Sequence, residues 1–253
     1  MRMDKIFEKY AEFYDALYKG KDYRAESNYF SSLIANHRPN RKIMLDLGCG
    51  TGRHATEFQK LGYKVVGVDI SERMIDIAVY NRPKEGPKFF VGDIREIRLD
   101  MSFDVALALF HVMSYQVSNE DLRKTLETVH YHLKDGGLFI FDFWYGPAVL
   151  TERPEVRRKE VEENGRRISR IATPTMNINE NVVNVEYTVQ VYDGRGDLLE
   201  ETSETHRMRY LFKPEVDLML FSTGFSPLQF VEFLGTTPPT DKTWSAVMIA
   251  EKC

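Results

Sequence analysis

The run Lys42–Ala55 restricts this chain more than any other stretch. Apolar, β-prone Ile43, Met44 and Leu45 lead to Asp46, glycines follow at alternate positions, Gly48, Gly50 and Gly52, and a helical pattern begins. This order reads as strand, tight turn, helix. Glycine lets the chain turn sharply and lets a ligand touch backbone where a Cβ would clash. A second apolar run, 64–68, ends in Asp69. An acid at that strand tip, about 20 residues beyond the first loop, is placed to accept both ribose hydroxyls of a nucleoside.

Dinucleotide-binding folds use the same device with the spacing G-x-G-x-x-G. Here the spacing is Asp-x-Gly-x-Gly-x-Gly, and a carboxylate opens the loop. It would repel a pyrophosphate and attract the sulfonium and ammonium of S-adenosylmethionine. A glycine turn without a ligand is the plain alternative.

Downstream, apolar runs and helical stretches alternate: strand 43–47, helix 52–61, strand 64–68, helix 71–82, strands 88–91 and 103–109, helix 119–134, strand 137–143. Such alternation predicts an α/β fold, a doubly wound, mostly parallel seven-stranded sheet with helices on both faces. Ligands of such sheets sit at the carboxyl ends of the strands, where Gly48, Asp69, Asp93 and Phe110–His111 fall. Residues 4–38 read as helices with aromatic stripes and form an N-terminal helical lid. After Trp144 the pattern becomes two-residue alternation, with turn chemistry at 179–181 and 193–197. It predicts an inserted antiparallel β-sheet of about three strands, at 166–175, 181–193 and 197–212. Helix 214–223 and strands 227–234 and 244–251 finish the parent sheet. The expected division is a core with its lid (1–150, lid 1–38), the insert (151–212) and completion of the core (213–253).

Composition narrows the partners. Among 253 residues the net charge is −4, and no basic run exceeds Arg157–Arg158–Lys159, which argues against a nucleic-acid partner. The two cysteines, Cys49 and Cys253, have neither metal nor disulfide spacing and suit a reducing, cytoplasmic setting. No apolar run has membrane-spanning length, and Met1–Lys5 lacks the apolar core of a signal peptide. A soluble cytoplasmic protein without metal is expected.

Residues from about Arg41 to Asp142 resemble the class I (Rossmann-like) S-adenosylmethionine-dependent methyltransferases. The resemblance lies in Leu45–Gly52, Gly67–Ser71, Gly92–Arg95, Phe103–Val105 and Leu133–Gly137. It implies a transferase that uses S-adenosylmethionine, releases S-adenosylhomocysteine and methylates a small-molecule acceptor by in-line displacement. Cofactor contacts would come from Asp46, Gly48, Cys49, Gly50, Thr51 and Gly52 of the loop, with Asp69 on the ribose. Asp93 and Ile94 would meet the adenine edge, and Leu109 the methionyl ammonium. Ile70 and Met74 are either adenine walls or ordinary core.

The segment Tyr14–Tyr23 resembles nucleotide-linked amino-sugar N,N-dimethyltransferases. That likeness implies Tyr23, with Arg24, at the methionyl carboxylate, Tyr14 facing the methyl group, and Tyr18, Tyr115 and Trp144 around the acceptor. His111 has the right position and chemistry for a general base, and a purely positioning role is the alternative. Arg207 and Arg209, two apart on a strand, could hold a pyrophosphate or form a solvated face. No Asn/Asp-Pro-Pro-Tyr/Phe motif and no Pro-Cys nucleophile is present, which weakens nucleobase and amide methylation. The resemblance implies as acceptor the amine of a nucleotide-linked amino sugar. The alternatives are another small amine, a sugar hydroxyl, or cofactor binding without turnover. The inserted sheet could also build a homodimer.

Overall fold

The computed structural model describes Phe7 and residues 9–253. The start of the helical reading at residue 4, and the segment Met1–Lys5, lie outside the described residues. Two helices come first, α1 (Tyr10–Leu17) and α2 (Tyr23–His37). They are separated at Gly20 and restarted by Asp22, whose carboxylate accepts from the Ala25 amide at 2.9 Å, a standard N-cap.

The parent sheet then assembles from β1 (Ile43–Leu47), β2 (Lys64–Asp69), β3 (Lys88–Val91), β4 (Phe103–Ala108) and β5 (Leu133–Trp144). Its helices are α3 (Arg53–Lys60), α4 (Glu72–Asn81) and α5 (Asn119–His132). Ser71 and Ser118 cap α4 and α5 through their hydroxyls. β4 is buried along its whole length, as a strand covered on both faces must be. A short helix not anticipated from sequence, α6 (Gly146–Glu152), leads out of the core.

The insert follows as β6 (Arg157–Glu163), β7 (Arg166–Asn177), β8 (Val182–Tyr192) and β9 (Leu198–Arg209), an antiparallel sheet in chain order. It has four strands rather than three. β6 was missed because its sequence, RRKEVEE, is almost wholly charged and its burial alternates only weakly. Finally α7 (Lys213–Ser222), β10 (Phe225–Glu232) and β11 (Ser245–Lys252) return to the parent sheet.

The seven strands lie in the order β10-β11-β5-β4-β1-β2-β3. β11 alone runs antiparallel to its neighbours, β5 and β10. The chain order reverses between β1 and β4, which pair in parallel through Met44–Val105 and Asp46–Leu107. A crevice at that reversal is where doubly wound sheets take ligands. Apolar clusters fill both faces of the sheet. A third joins α1 to β7 and β8 through Tyr10, Leu17, Ile168, Val189 and Val191. A fourth joins the insert to α6 through Val149, Val183, Val185, Met208 and Tyr210. The insert is thereby fixed over the strand ends rather than projecting from them.

Candidate functional site

A cavity of about 1300 Å³, its open mouth included, lies at the switch point. Its floor is the glycine loop. The Gly48 and Cys49 amides donate to Val68 O at 2.7 and 3.0 Å, folding the loop back over β2. Gly48 has φ +68°, and a Cβ there would meet Val112 Cγ2 at 2.5 Å. Both the backbone conformation and the space therefore require glycine. Gly52 is different from its loop neighbours. It does not line the cavity; a Cβ there would strike Phe89 Cζ at 2.5 Å. Its task is to let the end of the loop pass close to the Phe89 ring of β3.

Asp69 lines the cavity beside this loop. It accepts from the Gly50 amide at 2.8 Å and the Ser71 amide at 2.9 Å. A carboxylate offers about four lone-pair sites, so two remain for a vicinal diol. Burial pushes its pKa up, and the amides of Ser71, Gly50 and Ile70 oppose that push. Asp93 lies further along, clamped by Arg95 Nε at 2.9 and 3.0 Å to its two oxygens. Arg95 is tied in turn to Asp121 at 2.8 Å. Ile70, Met74 and Ile94 line the wall between these acids.

Four buried polar atoms of residues lining this cavity have no hydrogen-bond partner among the described residues: Gln116 Oε1, His206 Nε2, Tyr23 Oη and Asp46 Oδ2. Of the last two, Tyr23 is a donor and Asp46 an acceptor. Burial, reinforced by Asp69, pushes Asp46 up to about 7. Burial likewise pushes the Tyr23 phenol well up, against the pull of Arg53, whose guanidinium lies 5.0 Å from the ring centroid. Unpaired buried groups cost about 1–3 kcal/mol each. The carboxylate and ammonium of an α-amino acid would satisfy the pair. Beneath Tyr23, Glu26 joins His54 at 2.8 Å and pairs with Lys21, so the wall is braced from behind. Cys49 is half-buried, and burial pushes its thiol well up in pKa, which disfavours the reactive thiolate.

The far half of the cavity is aromatic: Tyr10, Tyr14 and Tyr18 of α1, Phe110, Tyr115, Trp144 and Tyr187. Burial holds Tyr14 and Tyr115 far above an ordinary phenol, so both are neutral. The loop after β4 enters this half under strain. Phe110 and His111 both have φ +65°, costly for non-glycine residues and typical of functional sites. Asp142 holds the strained loop by accepting the His111 amide at 3.2 Å, and its Oδ2 lies 3.3 Å from His111 Nε2. Burial lowers the His111 pKa, with Asp142 opposing; the ring is neutral near pH 7 and able to accept a proton.

Most of the residues expected from sequence meet here, Leu109 included. Besides Gly52, three arginines do not. Arg24 is exposed on the outer side of α2, one position round the helix from Tyr23. Arg207 pairs with Glu180 at 3.1 Å, and Arg209 is tied to Glu215 and Asn119. Strand alternation explains the last two. β9 pairs with β8 through Val185–His206 and Val183–Met208, so His206 and Met208 face the cavity and both arginines point the other way. The two arginines do share one face of β9, but it is turned from the cavity, so the expected pyrophosphate contact does not belong to this cavity. Phe7, Arg53, His54 and Gln116 also line the cavity without having been anticipated. Tyr187 stood in the visible alternation Val183–Val191; the others left no local signal. Among the described residues no group of three or more His, Cys, Asp or Glu is arranged to hold a metal ion, and no helix is long and apolar enough to cross a membrane.

With this geometry in view, residues 44–137 match the family model described as a methyltransferase domain. The chain is 31% identical over 193 residues to a dTDP-4-amino-2,3,4,6-tetradeoxy-D-glucose N,N-dimethyltransferase of Saccharopolyspora spinosa, covering 76% of each chain. It is 27% identical over 231 residues to a dTDP-3-amino-3,4,6-trideoxy-alpha-D-glucopyranose N,N-dimethyltransferase of Streptomyces venezuelae, covering 90% of this chain and 93% of the relative. Among solved structures, the S-adenosylmethionine-bound amino pentose methyltransferase CalS10 of Micromonospora echinaspora superposes with a TM-score of 0.77 at 23% identity, over the whole of both chains.

Proposed function

Because the chain belongs to the class I S-adenosylmethionine-dependent methyltransferases, we propose that its acceptor is the amine of a nucleotide-linked amino sugar. The observation that carries this reading is the division of one cavity into two unlike halves. One half pairs an unsatisfied donor, Tyr23, with an unsatisfied acceptor, Asp46, beside the diol-binding face of Asp69. The other is a box of aromatic rings. Three relatives that cover 76–90% of this chain carry names of amino-sugar N,N-dimethyltransferases, which supports the acceptor class.

S-adenosylmethionine, when bound, supplies an electrophilic methyl group on a sulfonium. Tyr23 would hold its carboxylate, Asp46 and Leu109 its ammonium, Asp69 its ribose, and Asp93 with Ile94 the adenine edge. Transfer to a neutral amine leaves a cation at the acceptor, and ring faces stabilise cations by about 0.5–2 kcal/mol each. A hydroxyl acceptor would leave no such charge, so the aromatic box favours nitrogen. Tyr14, Tyr18, Tyr115 and Trp144 orient the acceptor. Orientation of this kind is worth up to about 7–11 kcal/mol and supplies most of the rate. His111, neutral through burial, is the group in the cavity wall proposed as base.

In this reading the chain divides at 150 and 212 into core with lid, insert and core completion. The exposed edges of the insert, β6 and β9, suit a homodimer, which light scattering after size exclusion would test. A cytoplasmic location and the absence of a nucleic-acid partner belong to the same proposal. The deciding experiment is turnover, followed by mass spectrometry, on a panel of nucleotide-linked amino sugars, their hydroxyl counterparts and free small amines. Methylation of an amino sugar and not its hydroxyl counterpart is expected; methylation of free amines or hydroxyls alone would overturn the acceptor.

A further inference from the structure

The roof of the aromatic half contains a chain of polar groups whose hydrogen bonding the scheme above leaves unused. Tyr115 Oη and His206 Nδ1 are 2.8 Å apart. On the other side of the ring, His206 Nε2 lies 3.4 Å from Glu204 Oε2. His206 is 1% exposed, yet its Nε2 has no full hydrogen bond among the described residues. Glu204 and His206 stand two apart on β9 and so share its cavity face. Tyr115 comes from the turn after β4, and Tyr115 and His206 both line the cavity. Glu204 is itself anchored, accepting the Phe7 amide at 2.9 Å and the Tyr10 amide at 3.2 Å. Burial works to raise its pKa, and the bonds from His206 and these amides outweigh it, leaving the carboxylate below its ordinary range. A phenol, an imidazole and an ionised carboxylate thus run in line from the acceptor space into the insert.

That order matters for an amine. An aliphatic amine like that of lysine has an unperturbed pKa of about 10.4, so it reaches the cavity protonated and without a lone pair. One proton must leave before each methyl group can be accepted. Asp142 is committed to the His111 loop and to Ser245 Oγ, which donates to it at 3.2 Å.

We propose that Tyr115, His206 and Glu204 form a second proton-accepting chain that deprotonates the acceptor amine, an assignment that rests on the amine reading above. In the step, an ammonium N–H passes its proton to Tyr115 Oη as the Tyr115 O–H passes its own to His206 Nδ1. The amine keeps the bonding pair as its lone pair. The products are a neutral amine, a neutral phenol and an imidazolium facing the Glu204 carboxylate, and no net charge is created. Tyr115 touches the acceptor. His206 and Glu204 act through it, Glu204 as the group that orients the imidazole and stabilises its cation, as a carboxylate does behind a catalytic histidine.

The chain requires one tautomer: Nδ1 unprotonated and Nε2 bearing hydrogen. ¹⁵N NMR of ring-labelled protein, saturated with S-adenosylhomocysteine, reads this directly and needs no acceptor. Expected is the Nε2–H form of His206, with the Nδ1 resonance moving in Tyr115→Phe; the Nδ1–H form would overturn the proposal whatever the substrate proves to be. On whichever nucleotide-linked amino sugar is turned over, Glu204→Gln and His206→Gln should each lower kcat by about 10²-fold with KM changed less than threefold. The loss should shrink as pH rises towards the amine's own pKa. Unaltered kcat, or a loss constant with pH, would overturn the chain. If no amino sugar is turned over, the acceptor reading fails separately, and the tautomer still decides whether the chain can take a proton.

Discussion

Asp46→Asn should move folding stability and cofactor affinity in opposite directions. Asp46 is 2% exposed, with one oxygen unpartnered among the described residues and a pKa of about 7. The shift is about three units above an unperturbed aspartate, and at 1.36 kcal/mol per unit it corresponds to about 4 kcal/mol. The folded state binds this proton more tightly than the unfolded chain. The contribution of Asp46 to the stability of the ligand-free protein therefore falls as pH rises from about 4 to 7 and is level above. Asparagine removes that slope. After allowance for its own buried amide at about 1–3 kcal/mol, it should stabilise the free protein near pH 8 by about 1–3 kcal/mol. For a chain of this size that is a rise in Tm of about 2–12 °C. Binding runs the other way. Below pH 7 the carboxyl must lose its proton to meet the methionyl ammonium, so Kd for S-adenosylmethionine should rise about tenfold per pH unit. Affinity should be greatest near pH 7–8, before the ligand's amino group, unperturbed at about 7.7–8.0, deprotonates. Removing one partner of a buried charge pair costs about 2–5 kcal/mol, so Asp46→Asn should weaken binding at pH 7.5 by about 30-fold or more. Calorimetric titration from pH 5.5 to 8, with thermal melts at the same values, measures both. A wild-type Kd that does not vary with pH, or a variant that keeps the slope, would refute the assignment of Asp46 to the ammonium.

Five further substitutions probe other parts of the site. Tyr23→Phe removes an unpartnered buried hydroxyl and should weaken cofactor binding about 10- to 100-fold, the worth of a hydrogen bond to a charged group; Arg24→Ala, on the outer face, should leave Kd within about twofold. Gly48→Ala places a Cβ 2.5 Å from Val112 Cγ2 at φ +68°; a loss of about 1–3 kcal/mol is expected from left-handed backbone and overpacking together, measurable by denaturant titration. An NMR titration of His111 should find its midpoint below 6.5, because burial disfavours the imidazolium, and Asp142→Asn should lower it further by removing the one strong opposing charge. His111→Ala should reduce kcat by about 10²-fold or more if it is a base; a loss under tenfold would assign it to positioning.

How far the site was legible depends on how far apart its parts lie in the chain. Gly48, Asp69 and Asp93 follow strand ends at fixed offsets, and a parallel sheet brings consecutive strand ends to one edge, so order along the chain becomes adjacency in space. Tyr14 and Tyr23 were reached through the resemblance of their segment, not through any periodicity. The β9 residues failed for a different reason. Glu204, His206, Arg207, Met208 and Arg209 are polar or charged except for Met208, so the period of two picks out no apolar face. Only pairing with the apolar row Val183, Val185 and Tyr187 decides between them. A basic residue near a motif invites an anion-binding role, but Arg207 and Arg209 meet carboxylates from Glu180 and Glu215 that no local pattern announces.

By itself, then, the sequence determined the parent sheet, its glycine loop and the acids at its strand tips, because each is dictated by bonds and sterics within a few residues. The tertiary structure decided the rest: which face of the insert closes the cavity, which arginines are spent in ion pairs, that Tyr23 and Asp46 are left without partners, and that Tyr115 meets His206 across 91 positions of chain. Those are properties of long-range packing, where burial removes water as the default partner and makes each polar group depend on whatever the fold sets beside it.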